Sequence, residues 1–293
     1  MPNNRIHSNA WGDRFFYFCV YFLAALAFIL TAYPFIYIVS VSISNPLAVA
    51  KGQVLLWPIG FSTEGYKIIF NQSTLWTSYG NTLFITVVGT MINMVITIMT
   101  SYVLSKNYLR GHRVLTFLCV FTMMFSGGII PTYMVIKDVG LLNKIWAMII
   151  PTAINTYNMI ILRNFFSAMP RELEESATLD GCTEVGVLFR IVLPVSIPAI
   201  TTVTLFYAVD HWNDFFSAIM YINKQSNWPL QLFLRSMLYE NEAAYQSGGE
   251  SLYLLGQPMK MAAVMMAIIP IMCAYPFFQK YFTKGVMTGA VKG

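Results

Sequence analysis

The sequence predicts an all-α membrane protein with six transmembrane helices and both termini in the cytoplasm. Three observations predict this. Of the 293 residues, 57% are hydrophobic and only 11% charged, against about 25% charged in a soluble domain. The apolar residues fall in long continuous runs, of the roughly 20 residues a helix needs to cross a hydrocarbon core about 30 Å thick. Lys and Arg favour one alternate set of the segments between those runs. The runs neither alternate nor stop at strand length, which argues against a membrane β-barrel. The net charge of +5 is scattered between apolar runs, as membrane topology requires, and does not point to nucleic acid.

A polar tail, residues 1–14, comes first. The apolar run after it is far longer than the roughly 7–15 residues of a cleavable signal core, so it reads as an uncleaved first span. The six spans are residues 15–42, 77–105, 114–136, 145–162, 199–222 and 261–281, in a transmembrane domain of residues 15–282. Residues 283–293 form a C-terminal tail. Ser126-Gly127-Gly128 and Pro131 interrupt the third span. Such an interruption marks a broken helix beside a cavity or a close helix contact. Met261, Met265, Met266 and Met272 in the sixth read as ordinary core packing, with a flexible apolar filler between sliding helices as the alternative.

With the N-terminus inside, Arg5, Arg14, Lys106, Arg110, Arg113, Arg163, Arg171, Arg190, Lys280, Lys284 and Lys292 are cytoplasmic. The smaller set of Lys51, Lys67, Lys137, Lys144, Lys224, Arg235 and Lys260 lies outside. The bias is clearest in residues 106–113, where no acidic residue offsets the basic ones. The outer segments 43–76 and 223–260 carry Trp57-Pro58, Phe61 and Trp228-Pro229. These are interfacial aromatics or a docking surface for an external protein.

The cytoplasmic loop 163–198 contains ESATLDGCTEVGVLFRIVLP, from Glu175 to Pro194. Pro170 suits the first position of a short helix, and Glu172, Glu174 and Glu175 favour the positive end of its dipole. Gly181 suits the left-handed residue that stops it, and Thr183 can cap the next helix. Leu179, Val185, Leu188, Phe189 and Val192 supply an apolar surface beside these charges, and Pro194 and Pro198 mark re-entry into the membrane. Residue types alone allow either an unpartnered surface hairpin or a docking element.

The spacing Glu-x-Ala-x3-Gly-x9-Ile-x-Leu-Pro resembles the EAA loop of ABC importer permeases. Glu175, Ala177, Gly181, Ile191, Leu193 and Pro194 match in register, and Ser176 replaces the first Ala of the motif. NPLAVAKGQVLLWPIGFS (45–62), FSGGIIPTYMVIKDVGLLN (125–143), FYAVDHWNDFF (206–216) and WPLQLFLRSML (228–238) resemble the lipo-oligosaccharide branch of carbohydrate ABC permeases. Lys284, Gly285, Gly289 and Gly293 are similar to the ending of maltose-type permeases, whose tail reaches toward the ATPase subunits. The bland reading is a frayed terminus.

The resemblance implies a MetI-like permease fold in the bacterial cytoplasmic (inner) membrane. It implies a non-catalytic subunit that pairs with a second homologous permease, two ATP-binding subunits and an extracytoplasmic solute-binding protein. ATP and Mg would sit on the ATPase subunits, and this chain would bind no cofactor. The solute would be an oligosaccharide or polysaccharide, with alginate among the candidates. Glu175, Ala177, Asp180, Gly181, Ile191, Leu193 and Pro194 would couple the chain to the ATPase, with Glu175 as the charged anchor and Gly181 permitting the bend.

Charges inside the membrane are expensive and mark function or internal pairing. The fifth span holds Asp210, His211 and Asp214. Asp210 lies about 17 Å along the helix from Ala199, near the midplane. Asp210 and Asp214 share a helix face by spacing, His211 and Asp214 are neighbours, and Tyr207 extends the stripe. Trp212 and Asn213 add an aromatic plate and an amide. In the fourth span Asn155 and Asn158, three apart, can face a common cavity, beside Thr152, Thr156 and Tyr157. Rings and amides together suit sugars.

Three readings of these residues stand open: interhelical hydrogen bonding, a solute-binding or gating wall, and the proton relay of an ion-coupled secondary transporter. Two carboxylates would repel an acidic sugar unless one is protonated or a basic residue intervenes. No Walker loop, His-Glu-x-x-His or serine elbow occurs, so the chain does not bind ATP by the Walker route. His7, His112 and His211 are dispersed. Cys19, Cys119, Cys182 and Cys273 lack metal-ligand spacing and read as small apolar fillers.

Overall fold

The computed structural model describes residues 10–125, 127–245 and 250–290. The expectations on Arg5, His7, Ser126, Lys292 and Gly293 lie outside the described residues. The chain folds into α1 (Ala10–Ser42), α2 (Pro46–Ala50), α3 (Glu64–Phe70), α4 (Ser73–Ser105), α5 (His112–Met124), α6 (Ile129–Asp138), α7 (Trp146–Ile149) and α8 (Thr156–Ser167). There follow α9 (Arg171–Leu179), α10 (Glu184–Val187), α11 (Leu193–Val195), α12 (Ile197–Asn213), α13 (Phe216–Tyr221), α14 (Leu230–Tyr245) and α15 (Glu250–Ala290). A π-helical turn, Leu188–Val192, joins α10 to α11. No strand forms among the described residues, where Ser44 and Phe61 make an isolated antiparallel bridge.

The chain divides into two compact units. The first comprises Met1–Asn71 and Met237–Met266. Its core is Val41, Ala48, Val49 and Val54, with Tyr37 and Met261 packed against them. Asn45 caps α2 by accepting from the Leu47 N–H at 2.9 Å, with Pro46 at the first helical position. Ser40 donates to the Leu56 carbonyl at 2.6 Å, and the Tyr66 hydroxyl donates to Ser42 at 2.9 Å. Most of α1 exposes large apolar side chains, as a helix solvated by lipid does.

The second unit comprises Gln72–Ser236 and Ala267–Gly293, and α4 runs through it against α8 and α12. Its pattern is inverted relative to a soluble helix. Leu83, Val87, Met91, Val95, Met99 and Val103 face outward, while Ser78, Thr82, Gly89, Asn93, Thr97 and Ser101 are buried. Lipid is as apolar as leucine, so small and polar residues hold membrane helices together by close packing and interhelical hydrogen bonds. Thr82 accepts from the Leu230 N–H at 2.8 Å, Ser101 donates to the Met159 carbonyl at 2.9 Å, and Thr97 meets the Tyr207 hydroxyl at 2.8 Å.

Among the described residues three helices are long and apolar enough to cross a membrane unaided, 12–42, 73–105 and 256–276, and up to five do if each bent pair counts as one span. The expected third span is α5 and α6, not one helix. Gly128 sits at φ 83° with nothing within 4 Å of where a Cβ would lie. It serves a backbone turn that a side chain would strain, not close helix packing.

The expected fourth span, 145–162, is also not continuous. Pro151 follows the short α7, and α8 begins only at Thr156, because Asn155 turns inward to cap it. The expected fifth span ends at Asn213, where Asp214 leaves the helix at ψ 95° and α13 starts afresh. The expected sixth lies within the longer α15, which also takes in Lys284, Gly285 and Gly289.

Candidate functional site: a polar cavity and the hairpin joined to it

α12 carries one wall of a cavity of about 540 Å³, lined by Asn93, Thr152, Asn155, Tyr207, Asp210, His211, Asn213, Asp214 and Ser217 among others. Much of this wall is tied up internally. The Tyr207 hydroxyl meets Thr97 and accepts from the Asn155 N–H at 3.0 Å. Asn93 donates through Nδ2 to the Thr152 carbonyl at 2.8 Å, so its Oδ1 faces His211 Nε2 at 3.3 Å. A carbonyl oxygen only accepts, so Nε2 of His211 carries the hydrogen. Gly89 makes room for this imidazole: a Cβ there would lie 2.6 Å from Nε2.

The two carboxylates divide their work. Asp214 accepts from the Ser217 N–H at 3.0 Å and so starts α13. Asp210 is exposed to the cavity. The shared helix face expected of the pair does not exist, since Asp214 lies beyond the end of α12, yet both carboxylates line the same space. His211 pairs with Asn93 and not with Asp214.

A second, mostly apolar cavity of about 730 Å³ is lined by Tyr157, Asn158, Phe206, Trp212, Pro270 and Tyr275, with Asn155 and Asp210 shared between the two. Asn155 and Asn158 thus reach a common cavity, but not as two positions of one helix. Asn155 precedes α8, and its side chain accepts from the Asn158 N–H at 3.2 Å. Trp212 faces this second cavity, not the first, and rests edge-on against Tyr79. Asn213 lines the first, with its amide donating to the Val209 carbonyl at 3.0 Å.

The loop after α8 folds as a helical hairpin. Pro170 stands just before α9, one place earlier than expected, with Glu172 and Glu174 in the first turn. Gly181 at φ 85° ends α9. Its N–H donates to the Thr178 carbonyl at 3.0 Å and that of Cys182 to Ala177 at 2.9 Å, the paired bonds of a Schellman cap. Thr183 then caps α10 by accepting from the Gly186 N–H at 3.2 Å. Proline at 181 could adopt neither this φ nor the bond to Thr178.

Ala177 is buried with Tyr102, Leu162, Phe166, Val187, Leu188 and Val192, which fixes the hairpin to the ends of α4 and α8 and explains the small residue. The apolar surface expected of the loop is therefore split. Leu188 and Val192 are core, Ile191 and Leu193 pack against it, and Val185, Phe189 and Leu179 face outward, the last 88% exposed. Glu175 and Asp180 lie on the exposed side. Pro194 follows the π-helical turn, which absorbs the backbone bond that proline cannot make. An 84° bend then leads into α12.

Two contacts here were invisible to sequence reasoning. Lys106 pairs with Glu174, and Tyr102 donates to Glu184 Oε2 at 3.1 Å. Both join residues distant in sequence. Asn93 was missed as well, although the spacing of small and polar residues in α4 could have found it. Beside these carboxylates, partial desolvation and then Glu184 and Glu174 raise the Tyr108 pKa above its ordinary value.

The model of the family described as binding-protein-dependent transport system inner membrane component matches residues 4–288. Protein LplC of Bacillus subtilis (strain 168) is 43% identical over 288 residues, 97% of each chain. The polygalacturonan/rhamnogalacturonan transport system permease protein YtcP of the same organism is 42% identical over 286 residues, 96% of this chain and 99% of its own. A solved chain from a bacterial ABC transporter involved in the import of the acidic polysaccharide alginate matches with a TM-score of 0.85 at 33% identity, covering 96% of this chain and 100% of that one. With the matched segment running across nearly the whole length, the chain belongs to the family of binding-protein-dependent transport system inner membrane components, as a multi-pass permease subunit of an ABC importer.

Proposed function

We propose that this permease forms, with a second homologous permease, the path by which an oligosaccharide or polysaccharide enters the cell. An external binding protein delivers the solute, and two ATP-binding subunits drive the cycle. The chain crosses the membrane six times, with α7 and α8 completing the count, and both termini are cytoplasmic. The hairpin α9–α10 seats in the ATPase subunit, with Glu175, Asp180 and Leu179 at the contact. Ala177, Gly181, Ile191, Leu193 and Pro194 shape the hairpin and join it to the membrane. ATP and Mg bind only to the partners.

One observation carries this reading: the exposed hairpin leads, through the π-helical turn and an 84° bend, into α12, whose other end lines the polar cavity. Any displacement of the hairpin therefore bears on the cavity wall. Asp210 and Asn213 face the solute, while Tyr207 and Asp214 hold the wall in shape. Trp212 lines the adjoining, mostly apolar cavity, where sugar C–H surfaces pack on rings, and Asn155 and Asn158 set amides beside it. The named substrates of the relatives, polygalacturonan, rhamnogalacturonan and alginate, support a glycan as cargo.

The test is uptake by the complete complex in proteoliposomes. Glycan fragments presented with the binding protein are expected to accumulate only when ATP is enclosed with the ATPase subunits. Accumulation driven by a pH gradient without ATP would refute the assignment.

A further inference from the structure

We propose that Lys106 is a positioning residue for coupling, a cationic latch that locks the hairpin to the end of α4 and makes α4 the stiff arm between the ATPase contact and the cavity. This rests on the reading of the hairpin as that contact. Lys106 is the first residue past α4, and its side chain is only 10% exposed. A cation so buried needs a partner. It has two: the Glu174 carboxylate and the face of the Tyr102 ring, 4.2 Å from Nζ. The Tyr102 hydroxyl in turn binds Glu184. One cation just past α4 and one phenol in its last turn thus grip a carboxylate on each side of the Gly181 turn.

Contacts from α8 brace the same point. Arg163 Nε donates to the Leu104 carbonyl at 3.1 Å and Ser167 to the Ser105 carbonyl at 3.4 Å, satisfying acceptors that a helix end leaves open. From Ser105, next to Lys106, to Asn93 is about 18 Å of unbroken helix. There Asn93 and Thr97 hold His211 and Tyr207. The covalent route through α12 is less direct, since a π-helical turn and an 84° bend intervene. The latch supplies the continuous one.

The test uses the complete complex in proteoliposomes, reading solute taken up per ATP hydrolysed. Lys106→Met keeps the packing of the side chain and removes its charge, and Glu174→Gln removes the partner charge. Each is expected to lower the ratio about tenfold. Lys106→Arg retains the cation and is expected to restore it. Glu175→Arg serves as the separate control of the hairpin reading. If Glu175→Arg uncouples while Lys106→Met transports at the full ratio, the latch is overturned. Should Lys106→Met fail to assemble, an undiminished ratio in Glu174→Gln overturns it equally. If Glu175→Arg itself transports normally, the hairpin reading fails, and the latch loses its input.

Discussion

Exchanging Glu175 for Arg is expected to reduce solute uptake about 100-fold while the ATPase subunits continue to turn over. The carboxylate lies on the exposed face of α9, and its neighbours carry the intrachain contacts: Glu174 holds Lys106, and Ala177 is core. Reversing charge 175 therefore leaves the hairpin folded and alters only what it presents to a partner. Like charges brought together in a docking contact cost several kcal/mol, and about 3 kcal/mol corresponds to about 100-fold. Uptake and phosphate release measured in the same vesicles check this. Uptake at the wild-type level would place the coupling contact elsewhere.

Gly89→Val is expected to abolish most transport from within the membrane. The added Cβ would lie 2.6 Å from His211 Nε2 and 2.8 Å from Cε1, well inside van der Waals contact. The ring is buried, and its donor is engaged with Asn93. It can move only by giving up that bond and pushing α12 away from α4. Overpacking of this kind costs about 1–3 kcal/mol, and the lost buried hydrogen bond adds about 1–3 kcal/mol. Thermal unfolding in detergent should show the destabilisation, and uptake should fall with it. Gly80→Val is the control: it lies on the same helix with nothing within 4 Å of its added Cβ, and should preserve uptake.

The long elements were legible because hydropathy reports them directly: α1, α4 and about half of α15 coincide with apolar runs. The hairpin was legible for a different reason. Gly181 and Thr183 act on the backbone within three residues of themselves, so local chemistry decides the turn. What hydropathy could not show was where an apolar run stops being one helix. Residues 145–162 read as a span, yet Pro151 and the Asn155 cap divide them. Asp214 read as a residue of α12, yet its carboxylate is spent on the Ser217 N–H that opens α13. The pairings of Asn93 with His211 and Lys106 with Glu174 link segments far apart in the chain. Only the packing of helices against one another creates them.

In the proposed cycle, nucleotide turnover on a partner opens the α12 cavity alternately to the two sides of the membrane. Asn213→Cys tests it most directly, placed on the exposed wall of that cavity in a chain whose four native cysteines are replaced. In the reconstituted complex, a membrane-impermeant thiol reagent applied from outside should label this cysteine when ATP is trapped on the ATPase subunits. Without nucleotide it should label only from inside. Labelling from one side alone, whatever nucleotide is bound, would contradict the account.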